Sequence, residues 1–103
     1  MVGTGATFVR ARLMAAFMND ARLDVANFRD ANVNAADFRR TDLRKSDLTG
    51  ADVAFAIFEG CDLRGTILLV QRIETAVLRG AVAEADTRWP AGFDPAKAGV
   101  IIR

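Results

Sequence analysis

The sequence predicts an all-β solenoid, a chain wound into a polygonal coil with a short strand and a corner in every five residues. Three observations lead there. Every fifth residue from position 8 to position 78 is apolar: Phe8, Leu13, Met18, Leu23, Phe28, Val33, Phe38, Leu43, Leu48, Val53, Phe58, Leu63, Leu68, Ile73 and Leu78. Over most of that run a small residue stands two positions earlier, first Ala6, Ala11, Ala16, Ala21, Ala26, Ala31 and Ala36, then Thr41, Ser46, Ala51, Ala56, Cys61 and Thr66. Fifteen registers pass without a slip, and such self-similarity settles architecture before local propensity does. Finally, neither regular element keeps a five-residue period on one side. A helix advances about 100° per residue, so the apolar positions would spiral round it. A continuous strand alternates faces, so an odd step would expose every second one. The chain must turn once per repeat.

Met1–Gly5 reads as a lead-in, too short to shield the first coil, which holds Phe8, Leu13, Met18 and Leu23. Residues 6–82 read as the solenoid. Within each repeat the small and the apolar residue, two apart, share the inward face of a short extended segment. The residue before the apolar one is Asn27, Asn32, Asp37, Asp42, Asp47, Asp52 or Asp62, short polar types that bond nearby backbone in turns. The corner position holds Gly50, Gly60, Gly65 and Gly80, and glycine tolerates the positive φ that tight turns need. After Gly65 the expected outward positions become apolar, at Ile67, Leu69, Val70, Val77 and Val82, and Gln71 falls on a small inward slot. The repeat dissolves after Val82. Residues 83–103 read as an irregular tail whose Trp89, Phe93 and Val100–Ile102 are expected to fold back over the last coil and cover Ile67–Val70; the alternative is a partner or dimer interface.

The segments Ala-Asn-Phe-Arg-Asp (26–30), Ala-Asp-Phe-Arg-Arg (36–40), Thr-Asp-Leu-Arg-Lys (41–45), Ser-Asp-Leu-Thr-Gly (46–50) and Cys-Asp-Leu-Arg-Gly (61–65) resemble the pentapeptide-repeat family, whose consensus is Ala-(Asp/Asn)-Leu-X-X. The resemblance covers about residues 6–82. It implies a right-handed quadrilateral parallel β-helix with four pentapeptides per coil, hence about four coils here. Residues twenty apart would then stack, as in Phe8/Phe28/Leu48/Leu68 and Met18/Phe38/Phe58/Leu78. A segment like Trp-Pro-X-Gly-Phe-Asp-Pro also commonly closes members of the family.

At 103 residues and net charge +1, with basic and acidic residues interleaved, the chain is one small domain with no implied electrostatic partner. The single cysteine, Cys61, excludes an intramolecular disulfide and fits a reducing cytoplasm; it reads as a packed structural thiol. There is no histidine, no tyrosine, no metal-ligand cluster and no glycine-rich phosphate loop, so no enzyme, cofactor or metal site is expected. No apolar run is long enough to span a membrane.

The leading functional expectation is a non-enzymatic structural or protein-interaction scaffold with a protein partner. Candidate contacts are Phe17, Phe55, Ile57 and Val77, with Phe17 placed one coil from Ile57 and Val77, together with Ile67, Leu69, Val70, Trp89, Phe93 and Ile101 at the far end. Self-association into a homodimer is expected through the N-terminal end or this apolar face. Arg39, Arg40, Arg44, Lys45, Arg64 and Arg79 form a basic face that Asp37, Asp42, Glu59 and Asp62 should largely neutralise, so no direct nucleic-acid binding is expected. The alternative comes from the resemblance: some family members imitate duplex DNA and protect or inhibit DNA gyrase, giving quinolone resistance. Duplex DNA carries a negative charge every ~1.7 Å, so a rod of ~18 Å should show about ten net negative charges. A chain of net charge +1 does not. A module of a longer chain is a third possibility.

Overall fold

The computed structural model describes all residues, 1–103. Each pentad supplies one rung, at the residue before the apolar one, and rungs twenty residues apart pair in parallel. The columns run Thr7–Asn27–Asp47–Ile67, Arg12–Asn32–Asp52–Gln71, Phe17–Asp37–Ile57–Val77 and Arg22–Asp42–Asp62–Val82. Each rung bonds both neighbours: the Asn27 N–H donates to the Ala6 carbonyl at 2.9 Å, and the Phe28 N–H to the Asp47 carbonyl at 2.8 Å. The result is a β-helix solenoid.

Corners close by a bond from the small residue to the preceding apolar one, as from the Ala31 N–H to the Phe28 carbonyl at 3.1 Å. Their third residue has positive φ, at 56–59° for Arg10, Ala15, Asp20, Val25, Asp30, Ala35, Arg40, Lys45 and Phe55. Left-handed backbone costs a residue with a Cβ roughly 1–2 kcal/mol, so the ladder holds each corner against its own preference. The Asp/Asn position explains part of that hold. Oδ1 of Asn27, Asn32, Asp37, Asp42, Asp47, Asp52 and Asp62 each accepts the N–H two residues on, at 2.9–3.2 Å. That bond satisfies a corner donor that the ladder leaves over.

The interior is mainly apolar. Leu23, Phe28, Val33, Phe38, Leu43, Leu48, Val53 and Leu63 are fully buried. Phe38 stacks on Phe58 with centroids 5.2 Å apart, and Phe8 stacks on Phe28 at 4.7 Å. The polar inward residues each donate to a carbonyl of the coil before: Thr41 to Met18, Ser46 to Leu23, Cys61 to Phe38, Thr66 to Leu43 and Thr87 to Leu63, at 2.6–2.8 Å. No buried side-chain polar atom lacks a partner, which removes the usual penalty for polar groups in a core.

The structure corrects the expected register after Leu69. Val70, expected outward, is buried, and Gln71, expected inward, is exposed and bridges Asp52. The corner residue is missing there, which pulls the following residue inward. Arg72, with φ 60°, then adds one residue before the 3-10 turn Ile73–Thr75, and the twenty-residue spacing resumes at Ile57↔Val77. The rungs also reach further than the lead-in and tail boundaries implied. Val2 bridges Arg22, with Gly3 at the apolar position against Leu23, and Arg88 bridges Ile67. The strand Val82–Ala83 (β1) pairs in parallel with Ile101–Ile102 (β2).

Candidate interaction surfaces

The Asp/Asn ring that closes the corners also organises the charged surface. Asp37, Asp42 and Asp62 each accept the guanidinium two residues on, from Arg39, Arg44 and Arg64, with closest contacts of 2.7 Å. Pairs also form between coils: Arg40 with Asp20 at 2.7 Å, Arg79 with Glu59 at 3.5 Å, Arg44 with Asp62 at 3.8 Å, and Arg72 with Asp52. These bonds hold the carboxyls of Asp37, Asp42, Asp52 and Asp62 below their ordinary range and raise their arginines. Hydrogen bonds from Arg40, then Asn19, bring Asp20 down to about 2. Of the six residues of the candidate basic face, five are engaged by carboxylates and only Lys45 stands alone. Arg10, Arg12 and Arg22, which the sequence reading did not single out, make no ion pair.

The outward apolar residues separate into two groups. Phe17 is 82% exposed and lies in the first coil with exposed Met1, Val2 and Met14. Asp37 stands between Phe17 and Ile57 in their column, so the expected one-coil spacing is corrected to two, with a carboxylate interposed. Phe55, 66% exposed, is two residues from half-buried Ile57, whose rung partner is Val77. Below them a groove of about 500 Å³ is bordered by Glu74, Ala76, Val77, Lys97 and Gly99. At the C-terminal end Trp89 and Phe93 lie against the core with ring centroids 5.4 Å apart, while Ile67 is half-buried and Leu69, Ile101 and Ile102 are exposed. The Leu68 N–H donates to the Arg88 carbonyl at 2.7 Å, which seats the tail on the last coil.

Burial pushes the Cys61 thiol up to about 12, far from a reactive thiolate. No group of three His, Cys, Asp or Glu is placed to hold a metal ion, and no helix is long and apolar enough to cross a membrane.

Comparison with known proteins fits this geometry. Residues 26–65 match the family model for pentapeptide repeats in eight copies. The solved structures it resembles are pentapeptide-repeat proteins. Rfr23 from the cyanobacterium Cyanothece 51142 is 26% identical with a TM-score of 0.79, over 82% of this chain and 57% of that one. The protein alr5209 from Nostoc PCC 7120 is 28% identical with a TM-score of 0.67, over 94% and 84%. AT2G44920, from the Arabidopsis thaliana thylakoid lumen, is 26% identical with a TM-score of 0.65, over 95% and 59%. The chain thus spans under two thirds of the first and third of these. No functionally curated protein matches it significantly. In its repeats and its fold, the chain is similar to the pentapeptide-repeat proteins.

Proposed function

We propose that the chain is a non-enzymatic interaction scaffold that presents side chains on a rigid four-sided coil. The observation that carries this reading is Phe55, an aromatic ring held 66% exposed on a corner of positive φ, while Phe28, Phe38 and Phe58 are packed inside. With Ile57 and Val77 it makes an apolar side patch beside the groove above Lys97, suited to an apolar segment of a protein partner. Twenty-residue stacking with a corner every five residues supports four sides and about four coils, and parallel crossovers are right-handed in about 98% of cases.

The test is a pull-down from native lysate, comparing the chain with a Phe55→Ser, Val77→Ser variant. A partner retained by the first and lost by the second, at equal thermal stability, supports the patch; no difference removes it. The gyrase-mimic alternative has little to rest on: the net charge is +1, and Asp20, Asp37, Asp42, Asp52, Glu59 and Asp62 are engaged by arginines. A supercoiling assay without effect at micromolar protein would dispose of it.

A further inference from the structure

We infer that the groove between residues 74–79 and 97–99 binds an extended peptide segment carrying an acidic residue, which joins the coil as one added parallel rung beside Val77. This deepens the scaffold reading by giving the partner's chemistry and its seat, and it rests on that reading.

The first observation is a gap in the ladder. The tail extends two of the four columns of rungs. Arg88 follows Ile67, with the Leu68 N–H donating to the Arg88 carbonyl at 2.7 Å and the Arg88 N–H to the Thr66 carbonyl at 3.0 Å. Ile101 follows Val82, its N–H donating to the Ala81 carbonyl at 2.8 Å. No segment takes that place beside Val77. The Ala76 carbonyl and the Leu78 N–H make no hydrogen bond within the chain, and both residues border the groove. Beyond Gln71 the corner fault puts Arg72 at φ 60°, so the fourth column offers no extended rung. Ala76, by contrast, is extended, with φ −78° and ψ 153°. Both walls of the groove are segments inside the chain, and the Gly99 carbonyl ties them by accepting the Gly80 N–H at 2.9 Å. An unpaired rung is a template for an extended peptide. The residue facing Val77 would donate to the Ala76 carbonyl and accept from the Leu78 N–H. Asp47 does the same with Ala26 and Phe28, at 3.0 and 2.8 Å.

The side chains around the gap select the peptide. Outward, the column places Val77 opposite Ile57, so a β-branched residue continues the apolar stripe. Its two neighbours point inward, as Ala76 and Leu78 do against the core, which asks for a small residue before it and an apolar one after it. Two residues past the rung, successive coils carry Arg39, Glu59 and Arg79, alternating in sign. The next charge in that series is negative. Arg79 is held by Glu59 only at 3.5 Å, and Lys97, on the opposite wall, makes no ion pair and is exposed. Glu74, the one carboxylate bordering the groove, stands before the rung, and Arg79 stands after it. That order of charge favours a parallel peptide with its acid at the C-terminal end. The motif is small, β-branched, apolar, acidic.

The probe is the capped peptide Ser-Ala-Val-Leu-Glu-Ser, titrated into the isotopically labelled chain and followed by amide resonances. We expect saturable shifts in residues 74–79 and 97–99 at millimolar peptide, with slower exchange of the Leu78 amide proton. N-methylation of the peptide's valine removes the donor to Ala76 without touching the protein, and should weaken binding about fivefold, the net value of one main-chain bond. Lys97→Glu should weaken it about threefold, and a peptide with lysine in place of glutamate should recover that loss. Absence of saturable shifts, shifts centred elsewhere, or indifference to N-methylation overturns the inference. If the peptide fails while Phe55→Ser, Val77→Ser still loses a partner from lysate, the groove inference falls and the scaffold reading stands.

Discussion

The Cys61 thiol donates to the Phe38 carbonyl oxygen at 2.6 Å, the same relationship that Thr41, Ser46 and Thr66 hold with the coil before them. The thiol therefore acts as a small donor in a structural series, and its chemistry follows from that place.

Its folded pKa, about 12, lies above the ordinary value of 9.0. A raised acid stabilises the fold fully below the unfolded pKa, and that contribution is lost as pH rises from about 9 towards 12. Alkaline melts should fall more steeply for the wild type than for Cys61→Ser, which keeps a donor without the titration. A disulfide reagent should modify the thiol in denaturant and not in the native chain.

The acid limb has the opposite sign. Asp37, Asp42, Asp52 and Asp62 have folded pKa values depressed below 3.8, chiefly by arginine hydrogen bonds. Their contribution is present above about pH 4 and is lost as pH falls below it. Melting temperature should be level from about pH 5 to 8 and drop below pH 4. Asp62→Asn should lower the plateau and shrink the drop.

Corner strain can be relieved. Val25 is β-branched, exposed and at φ 58°, the least suitable type for that conformation. Val25→Gly should stabilise by ~0.5–1 kcal/mol in urea titration, after the loss of chain entropy is set against the strain. Gly50→Ala should destabilise, because its φ is 78° and an added Cβ would run into the Asp30 carboxylate.

Core substitutions should show a gradient along the axis. Phe38→Ala, in the middle of the stack, should cost ~3–5 kcal/mol. Phe8→Ala should cost clearly less, because that ring is half-buried at the open end. Equal losses would mean that the N-terminal coil is covered in solution.

Trp89 is the only tryptophan, so its fluorescence reports tail docking. Removal of residues 87–103 should expose Leu68 and Val70, increase binding of an apolar dye and reduce soluble yield. A truncated chain that melts like the full one would deny the tail a covering role.

The coil was legible because its period is incompatible with a helix or a straight strand, and every inward position from Ala26 to Thr66 follows from it. The fault at Val70–Arg72 was not. A missing corner and an added residue cancel within a few positions, so the apolar count at Ile73 and Leu78 hides both. The split between Phe17 and Phe55 was legible in principle, since Asp37 occupies the rung between Phe17 and Ile57. The open N-terminal rungs involve main-chain groups, which carry no side-chain signature. Arg10 and Arg12 offered the one signal there, as arginines without an Asp or Asn two residues before them.

The fault at Val70–Arg72 also bears on how such chains change length. A residue lost at one corner is restored by Arg72 before the next rung, so the coils on either side keep the same pitch. The solenoid behaves like a screw thread fitted with a shim. A lone deletion would turn every later side chain from core to water, whereas a compensated pair leaves the thread intact and merely reshapes one point on its rim. New surface features can therefore arise within a coil without changes of five residues at a time, provided that they arise in opposing pairs.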